Sequence, residues 1–369
     1  MLAGTRNTAR AGLGLCAAFA GLWTASASAD SIDPLAYTDT LAPGESVTIR
    51  KTVTIDSGSP TSGIVDVMFL IDTSGSMGAE INQAKAAAND ILNGLAGFGD
   101  LSTGFGYFSE PGSLGVKHDL TTDTAAAVAN LGSISLNEGG GGGDFPEEGI
   151  NAVKEAALGA SWRPGSSRFI IALGDATFKE SDGTTLADAK AALDTSGATF
   201  IGIDYGGMTN VGWGGISAAE LSDHSGGSIV SSSGLDTDDL VNDILAGVGD
   251  SFVNYSEVTV DDLGTAGAGV GIAVSCVSAD SGTCSGATAS GTYDRSVTRT
   301  FEFDVTFTGL LEGTHDFTMD GLVDGASVAR EVDRITVTGD GTEVPEPGTL
   351  GLLSLGLGLL GARALRRSR

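Results

Sequence analysis

Strand-like and helix-like segments alternate along the chain from Ile64 to about Val248, and this alternation restricts the fold more than any other feature. The run IVDVMFLI at 64–71 is continuously apolar, as expected for a strand that is buried on both faces. The following segment, 81–98, carries its apolar residues along one helical stripe. Alternating strands and helices favour a doubly wound, mostly parallel sheet with helices on both faces. We therefore predict an α/β domain over residues 63–250.

The segments on either side of this domain have a different pattern. Within the flanking segments 30–62 and 251–343, the stretches 41–56 and 251–340 are together rich in Val, Thr, Phe and Ser, and RTFEFDVTFTG alternates with period two. This pattern predicts antiparallel strands of a β-sandwich-like domain. The segment 30–62 is too short to fold alone. We expect it to pair with the C-terminal strands, with the α/β domain inserted between them. The alternative is a separate strand pair on the edge of the α/β domain.

The N-terminal residues 1–29 have the three parts of a secretory signal peptide. Arg6 and Arg10 precede an apolar core, and small residues ending at Ala29 form the cleavage signal. After cleavage two cysteines remain, Cys276 and Cys284. In an oxidising compartment such a close pair predicts one disulfide, and metal binding by these two cysteines is the alternative.

The C-terminal residues 344–369 contain a short apolar run followed by four arginines. The run is shorter than the ~20 residues that a membrane-spanning helix needs, and its flanking arginines fit a membrane anchor. The motif VPEP, the apolar run and the arginines follow one another in an order that resembles the PEP-CTERM sorting tail of Gram-negative bacteria. That resemblance implies export through the inner membrane, recognition by an exosortase, and a location in the cell envelope, either anchored or released. The sorting motif consists of Val344, Pro345, Glu346 and Pro347.

The chain is strongly acidic. It has 47 Asp and Glu residues against 19 Lys and Arg residues, which gives a formal net charge of −28. Binding to nucleic acid depends on basic side chains that neutralise phosphates, so the charge argues against a nucleic-acid partner. The charge fits an exported protein that is kept soluble by self-repulsion, or one that attracts divalent cations.

Acidic residues follow several of the predicted strands, where ligand sites of open α/β sheets lie. The clearest case is DTSGSM, in which Asp72, Ser74 and Ser76 alternate between a buried strand and a helix. Taken alone, these side chains could form a turn and a helix cap. They could also form one side of a metal site.

Three separate segments resemble von Willebrand factor A domains. DVMFLIDTSGSM resembles the start of that domain, which implies that Asp72, Ser74 and Ser76 form the first loop of a metal-ion-dependent adhesion site. RFIIALGDA resembles the strand that leads into the acidic third loop of this site, which implies that Asp175 belongs to that loop. The middle loop GGGGDFPEEG resembles the I-like domain of integrin β subunits, which implies that Glu147 is a ligand.

The integrin resemblance also implies further cations. GFGYFSEP resembles an integrin β segment that has an acidic residue where this chain has Glu110. In the middle loop the family has an Asn two places before the residue that corresponds to Asp144, whereas this chain has Gly142. A third site would use two acidic residues after the serines, of which the chain has Glu80 but Ala79 at the other position. The ligands implied for the second site are Glu110, Asp144, the carbonyl of Pro146, and Glu147.

Oxygen ligands of this kind suit hard divalent cations. We expect Mg²⁺, with Mn²⁺ or Ca²⁺ as alternatives, and Ca²⁺ at the second site. The expected function is binding of a protein or polysaccharide that offers an acidic oxygen. The alternative is a structural component of extracellular matrix or biofilm, in which the metal only stabilises the fold. We expect no enzyme, because His118, His224 and His315 are scattered and no catalytic motif occurs. A hydrolase is the third candidate.

Overall fold

The computed structural model describes residues 29–61, 63–109, 112–141, 143–232, 234 and 236–339. Residues 1–28 of the predicted signal peptide, Glu110, Gly142 and the predicted sorting tail lie outside these ranges. Within the described ranges, none of the helices is long and apolar enough to cross a membrane.

Three strands precede the α/β domain. Their bounds are β1 Ser31–Asp33, β2 Ala36–Leu41 and β3 Ser46–Ile55.

The α/β domain alternates strands and helices, with one strand hairpin near its start. Its elements are β4 Gly63–Asp72, α1 Gly78–Ala86, α2 Ala88–Leu95, β5 Gly99–Phe108, β6 Leu114–Thr121, α3 Thr124–Gly132, α4 Gly149–Gly159, β7 Ser167–Gly174, α5 Leu186–Ser196, β8 Ala198–Asp204, α6 Ala219–Ser225, β9 Ile229–Ser231 and α7 Thr237–Asp250.

The described C-terminal segment consists of strands. They are β10 Asn254–Asp261, β11 Val270–Ser278, β12 Thr283–Ser285, β13 Thr288–Asp294, β14 Arg299–Gly309, β15 Gly313–Val323 and β16 Ala326–Val337.

The central sheet of the α/β domain has six strands in the order β6-β5-β4-β7-β8-β9. Neighbouring strands are parallel except β6, which pairs with β5 in the antiparallel sense. The predicted fold class, a doubly wound mostly parallel sheet with an added all-β part, is confirmed.

Strand β4 is buried on both faces, because it contributes to two hydrophobic cores. Val67 and Phe69 pack with residues of α1, α2, α3 and α7 on one face of the sheet. Met68 and Leu70 pack with residues of α4, α5 and α6 on the other. A continuously apolar sequence is what this position requires, since successive side chains of a strand point to opposite faces.

The other strands form two packed sheets with one shared core. The four-stranded sheet has the order β1-β3-β14-β11, and the six-stranded sheet has the order β12-β13-β10-β15-β16-β2. The three N-terminal strands therefore lie within the sheets of the C-terminal strands, and the α/β domain is inserted between β3 and β10. A disulfide joins Cys276 and Cys284, with 5.4 Å between their Cα atoms.

A buried charged cluster crosses the core between these two sheets. Lys51 on β3 forms ion pairs with Glu331 and Asp333 on β16, and its Nζ atom lies 3.2 Å from Asp333 Oδ2. All three side chains are excluded from solvent. Asp333 Oδ1 also accepts a hydrogen bond of 2.9 Å from the backbone N–H of Tyr37. We call these three side chains the Lys51 cluster.

The two parts of the molecule meet at the beginning of β4. The backbone N–H of Ser327 on β16 donates to the carbonyl of Gly165, at 2.7 Å. A side chain at Gly63 would lie only 3.3 Å from the carbonyl oxygen of Ser327. Asp72 lies at the opposite end of the ten-residue strand β4, roughly 30 Å away. That end of the sheet faces away from the β-sandwich.

Candidate metal centre

The acidic residues at the carboxyl end of the sheet come from neighbouring segments. Strands β4 and β7 are parallel, with Ile71 opposite Leu173, so Asp72 and Gly174 end side by side and Asp175 follows directly. The middle loop joins them because the backbone N–H of Glu147 donates to the carbonyl of Thr177, at 2.9 Å. The structure therefore brings together all three predicted loops.

The first loop does not act as a helix cap. Helix α1 begins only at Gly78, and its N-cap residue, Met77, makes no capping hydrogen bond through its side chain. The side chains of the loop are instead turned toward one another. The backbone N–H of Ser74 donates to Asp72 Oδ1 at 2.8 Å, and the hydroxyl oxygens of Ser74 and Ser76 are 3.2 Å apart.

Each of the three acidic side chains has a buried oxygen without a hydrogen-bond partner. These atoms are Asp72 Oδ2, Glu147 Oε2 and Asp175 Oδ1. Asp72 is completely buried, and only 3% of Glu147 is exposed. A buried charge without a partner is costly, so most such groups in proteins are paired, coordinate a metal or become neutral. We call Asp72, Glu147 and Asp175 the carboxylate cluster.

Burial and mutual repulsion raise the pKa values of this cluster. Burial raises the pKa of Asp72 to about 7, and the charge of Asp175 adds to the increase. Burial raises the pKa of Glu147 to about 8, with further contributions from Asp72 and Asp175. Burial also raises the pKa of Asp175, and a hydrogen bond with the Ser76 side chain opposes this shift. The three groups are thus close enough to repel one another when ionised.

The residue types suit a divalent cation that keeps part of its water shell. Carboxylate and hydroxyl oxygens are the ligands that Mg²⁺ and Ca²⁺ take, and Mg²⁺ in particular keeps several waters. Among the described residues, no three His, Cys, Asp or Glu side chains are arranged to hold a metal by themselves. The hydroxyls of Ser74 and Ser76, together with water, would therefore have to provide part of the coordination.

The predicted second site is only partly described, since Glu110 lies outside the described residues. Asp144 Oδ1 lies 3.1 Å from the Nζ atom of Lys179, and the Asp144 side chain is 68% exposed. The backbone N–H of Lys179 donates to the carbonyl of Glu147, at 2.8 Å. A basic side chain therefore contacts one of the implied ligands, and the second cation stays a prediction.

Glu80 lies on α1, close enough to Tyr205 after β8 for its charge to affect that residue. Glu80 Oε2 is buried without a hydrogen-bond partner, and its charge helps burial to raise the pKa of Tyr205. The Tyr205 hydroxyl donates to Gln83 Oε1 at 3.0 Å. The third cation also remains a prediction.

The glycine-rich segment is tied to the first loop of the site. The Thr73 hydroxyl donates to the carbonyl of Glu138 at 2.6 Å, and the backbone N–H of Asn137 donates to the carbonyl of Thr73 at 2.7 Å. Gly139 and Gly141 have φ values of 81° and 84°, in the left-handed region that glycine tolerates best. Sequence reasoning did not identify Thr73, because only the folded structure places it beside this segment.

Two exposed aromatic side chains next to the site were also missed. The rings of Phe145 and Trp213 have centroids 5.5 Å apart and planes tilted by 47°, and each residue is 52% exposed. Trp213 belongs to the loop 205–216 that follows β8. Asp204 shapes the beginning of this loop, because its Oδ1 accepts hydrogen bonds from three successive backbone N–H groups, those of residues 206–208. For Trp213, the available signal in the sequence was an aromatic residue between two glycines after a predicted strand.

Comparison with known proteins identifies the family of the α/β domain. Residues 66–201 match the family model of the von Willebrand factor A domain. The chain contains a von Willebrand factor A domain. Residues 343–369 match the PEP-CTERM protein-sorting motif, which implies export to the cell envelope of a Gram-negative bacterium and processing by an exosortase. The sequence-based recognition of both is confirmed.

One similar sequence is the alpha-protein kinase vwkA of Dictyostelium discoideum. It is 27% identical over 142 residues, which are 37% of this chain. The chain spans about a fifth of the length of that relative, since the match covers 22% of it.

Similar solved structures include three other proteins. A von Willebrand factor type A protein from Catenulispora acidiphila has a TM-score of 0.39 and 17% identity, covering 85% of this chain and 74% of its own. Proximal thread matrix protein 1 of the mussel byssus has a TM-score of 0.39 and 15% identity, with coverage of 54% and 48%. The pilus adhesin SpaC from Lactobacillus rhamnosus GG has a TM-score of 0.35 and 14% identity, with coverage of 79% and 45%.

Proposed function

We propose that this exported protein binds a divalent cation at the carboxyl end of its α/β sheet and uses it to hold an acidic group of a partner. The observation that carries the proposal is the carboxylate cluster, whose three unpartnered, buried oxygens lie beside two serine hydroxyls. Burial, with a further contribution from neighbouring acidic groups, raises the pKa values of Asp72 and Glu147, and a bound cation would offset both effects. The proposed ligands are Asp72, Ser74, Ser76, Glu147 and Asp175.

The neutral serines matter for partner binding. A bound divalent cation can accept an oxygen from outside the protein at a coordination position that the chain leaves open. Two hydroxyls add no negative charge, so the site does not fully neutralise the cation. The hydrogen bond from Ser74 N–H holds one oxygen of Asp72 in place, and the backbone bond from Glu147 to Thr177 fixes the middle loop. The chain thus holds the ligands in position before a partner arrives.

A binding role is proposed rather than a catalytic one. The three histidines of the chain bond elsewhere: His118 lies 2.8 Å from the Ser133 hydroxyl, His224 lies 2.8 Å from Asp194, and His315 lies 2.8 Å from the Leu311 carbonyl. The proposed cation is Mg²⁺, with Mn²⁺ and Ca²⁺ as alternatives. A matrix or biofilm component that only needs the metal for stability is the second candidate, because a cation would stabilise the same buried carboxylates without any partner.

The melting temperature of the exported protein in chelator and in excess Mg²⁺, Mn²⁺ or Ca²⁺ tests the cation site. A ligand at about 100 times its Kd adds ~2.7 kcal/mol to the unfolding free energy, which corresponds to roughly 5 °C or more. We expect this increase in the wild type and in Asp223→Ala, which removes an exposed carboxylate on α6. Asp72→Ala should lose it. Equal melting temperatures with and without cation in the wild type would contradict the proposal.

Partner binding separates the two candidate functions. Matrix material is passed over immobilised wild-type protein and over Asp72→Ala, in Mg²⁺ and in chelator. Capture only by the wild type in Mg²⁺ supports a partner held through the cation. If the cation stabilises the protein but capture is the same in all four cases, the structural role is favoured.

A further inference from the structure

We infer that Phe145 and Trp213, with the neighbouring Val211, form a second contact surface for the partner, and that the partner is a basic protein segment presenting one Asp or Glu beside an apolar side chain. We call these three residues the apolar rim. This inference rests on the proposed function, since the acidic residue would be held by the cation. It adds the class of partner and the residues that select it.

The apolar rim lies on the middle loop of the site and on the loop 205–216, which is hydrogen-bonded to the segment that follows Asp175. Phe145 lies two residues before Glu147, on the middle loop. The loop of Trp213 is hydrogen-bonded to the segment after Asp175, because the Thr177 hydroxyl donates to the carbonyl of Gly214 at 2.7 Å. The backbones of Phe178 and Ile216 also exchange two hydrogen bonds, of 2.9 and 2.7 Å.

Close packing fixes the position of the Trp213 loop against the site. A side chain at Gly207 would overlap the carbonyl oxygen of Asp175 and lie only 3.0 Å from the Trp213 ring. A side chain at Gly215 would lie 2.5 Å from the ring of Pro146. Only glycine fits at these two positions. The indole is therefore held next to the backbone of one proposed metal ligand and beside the loop that carries another.

The side chains of the apolar rim are more than half exposed. Phe145 and Trp213 are each 52% exposed, and Val211 is 59% exposed. Aromatic residues are enriched in protein interfaces, and Trp is enriched among the few residues that contribute most of the binding energy. The two rings are tilted by 47° to one another, and their exposed surfaces offer an apolar side chain of a partner a place to pack.

Charge complementarity selects among the possible partners. The chain carries a net charge of −28, so its field repels polyanions and attracts basic partners. An acidic polysaccharide would offer carboxylates but would be repelled, whereas a neutral polysaccharide would offer none. A basic protein segment with a single Asp or Glu would be attracted by the negative charge of the chain and could also bind the cation through its carboxylate. The apolar rim then requires an apolar side chain near that acidic residue.

A display library of short random peptides with one fixed Asp tests this inference on the full exported protein in Mg²⁺. We expect enrichment of Lys or Arg, and of an apolar residue next to the Asp. Trp213→Ala and Phe145→Ser should each weaken binding of the enriched peptides by roughly tenfold or more. Leu311→Ala is the matched control, because Leu311 is 54% exposed but lies in the β-sandwich. It should leave binding unchanged.

The melting temperature shift with Mg²⁺ is measured for every variant, which keeps the two proposals distinguishable. If Trp213→Ala and Phe145→Ser keep the shift but lose peptide binding, the inference is supported. If both keep the shift and bind the peptides as well as the wild type, the apolar rim has no such role. If the wild type shows the shift but selects no peptides, or polygalacturonate displaces them at lower concentration, the class of partner is wrong. Absence of the shift in the wild type contradicts the proposed function itself.

Discussion

The Lys51 cluster and the carboxylate cluster pose the same electrostatic problem and differ in how it is met. In the β-sandwich, Lys51 lies between Glu331 and Asp333, so one ammonium group is shared by two buried carboxyl groups and balances one negative charge if both are ionised. Burial lowers the pKa of Lys51 and raises that of Asp333, and in each case the attraction between them opposes the shift. In the carboxylate cluster burial raises the pKa values of Asp72, Glu147 and Asp175, and the charged neighbours that contribute are other acidic side chains.

The difference indicates which site is structural and which is open to solution. The β-sandwich carries a counter-charge for one of its two buried carboxyl groups within the chain, so a single proton is enough to neutralise the rest. The carboxylate cluster must take up protons or a cation to be neutralised. A cluster of three carboxyl groups therefore depends more on protons or cations from solution than a cluster that includes its own ammonium group.

Removing the ammonium group of Lys51 should have the largest effect on stability. Lys51→Met would leave Glu331 and Asp333 buried without their counter-charge, and breaking a buried ion pair in this way costs about 3–5 kcal/mol. We expect a loss of this size in the unfolding free energy, measured by urea denaturation in chelator. Adding Glu331→Gln and Asp333→Asn should restore most of the stability. A loss below about 1 kcal/mol for Lys51→Met would show that the cluster is not what compensates these carboxylates.

The pH dependence of the chelated protein should show an intermediate effect. The folded pKa values of Asp72 and Glu147, about 7 and about 8, are raised above their unfolded values. Their contribution to stability is therefore complete below pH ~4 and is lost as the pH rises through 7 and 8. The melting temperature in chelator should fall over this interval, and excess Mg²⁺ should reduce the fall because the cation replaces the protons.

Glu147→Gln is the control for this pH effect, since it removes the group with the higher pKa and keeps its shape. The variant should be more stable than the wild type in chelator near pH 8, by about 1 kcal/mol or more, and less stable in excess Mg²⁺. The interpretation is wrong if wild type and variant have parallel pH profiles in chelator.

The smallest effect is expected at the exposed pair between Lys179 and Asp144. Lys179→Met should change the unfolding free energy in chelator by less than about 1 kcal/mol, because exposed ion pairs contribute little. It would also leave Asp144 without this basic contact. If a second Ca²⁺ binds there, the variant should bind it more tightly than the wild type, as measured by calorimetric titration. Unchanged Ca²⁺ binding would count against the second site.

Much of the fold was predictable because its signals are local. The run IVDVMFLI alone indicates β4, since a strand buried on both faces needs apolar residues at every position. Strand β6 was not predicted, because an edge strand has a weaker pattern and Leu114–Thr121 includes Lys117, His118 and Asp119. The single helix expected over 81–98 is two helices, α1 and α2, which meet at Ala87.

The two charge clusters differ in how far the sequence could reveal them. Asp72, Glu147 and Asp175 each belong to a recognisable motif. Their position close together could therefore be expected from the sequence, although their burial could not. The Lys51 cluster could not. Lys51 has the inward position of its period-two strand, like Val53 and Ile55, but its partners lie 280 and 282 residues further along the chain. Nothing local in the sequence indicates which strands will face each other.

The position of β16 has a mechanical consequence. This strand is hydrogen-bonded on one side to β15 and on the other, in parallel, to β2. The sorting motif follows it in the chain, beginning at residue 343. A pull from an anchored C-terminus would run along β16 and would have to shear two ladders of hydrogen bonds at once. Shear loads many bonds together, whereas peeling opens them one after another. Strand β2, which precedes the α/β domain in the chain, would thus strengthen the attachment of β16 against such a force.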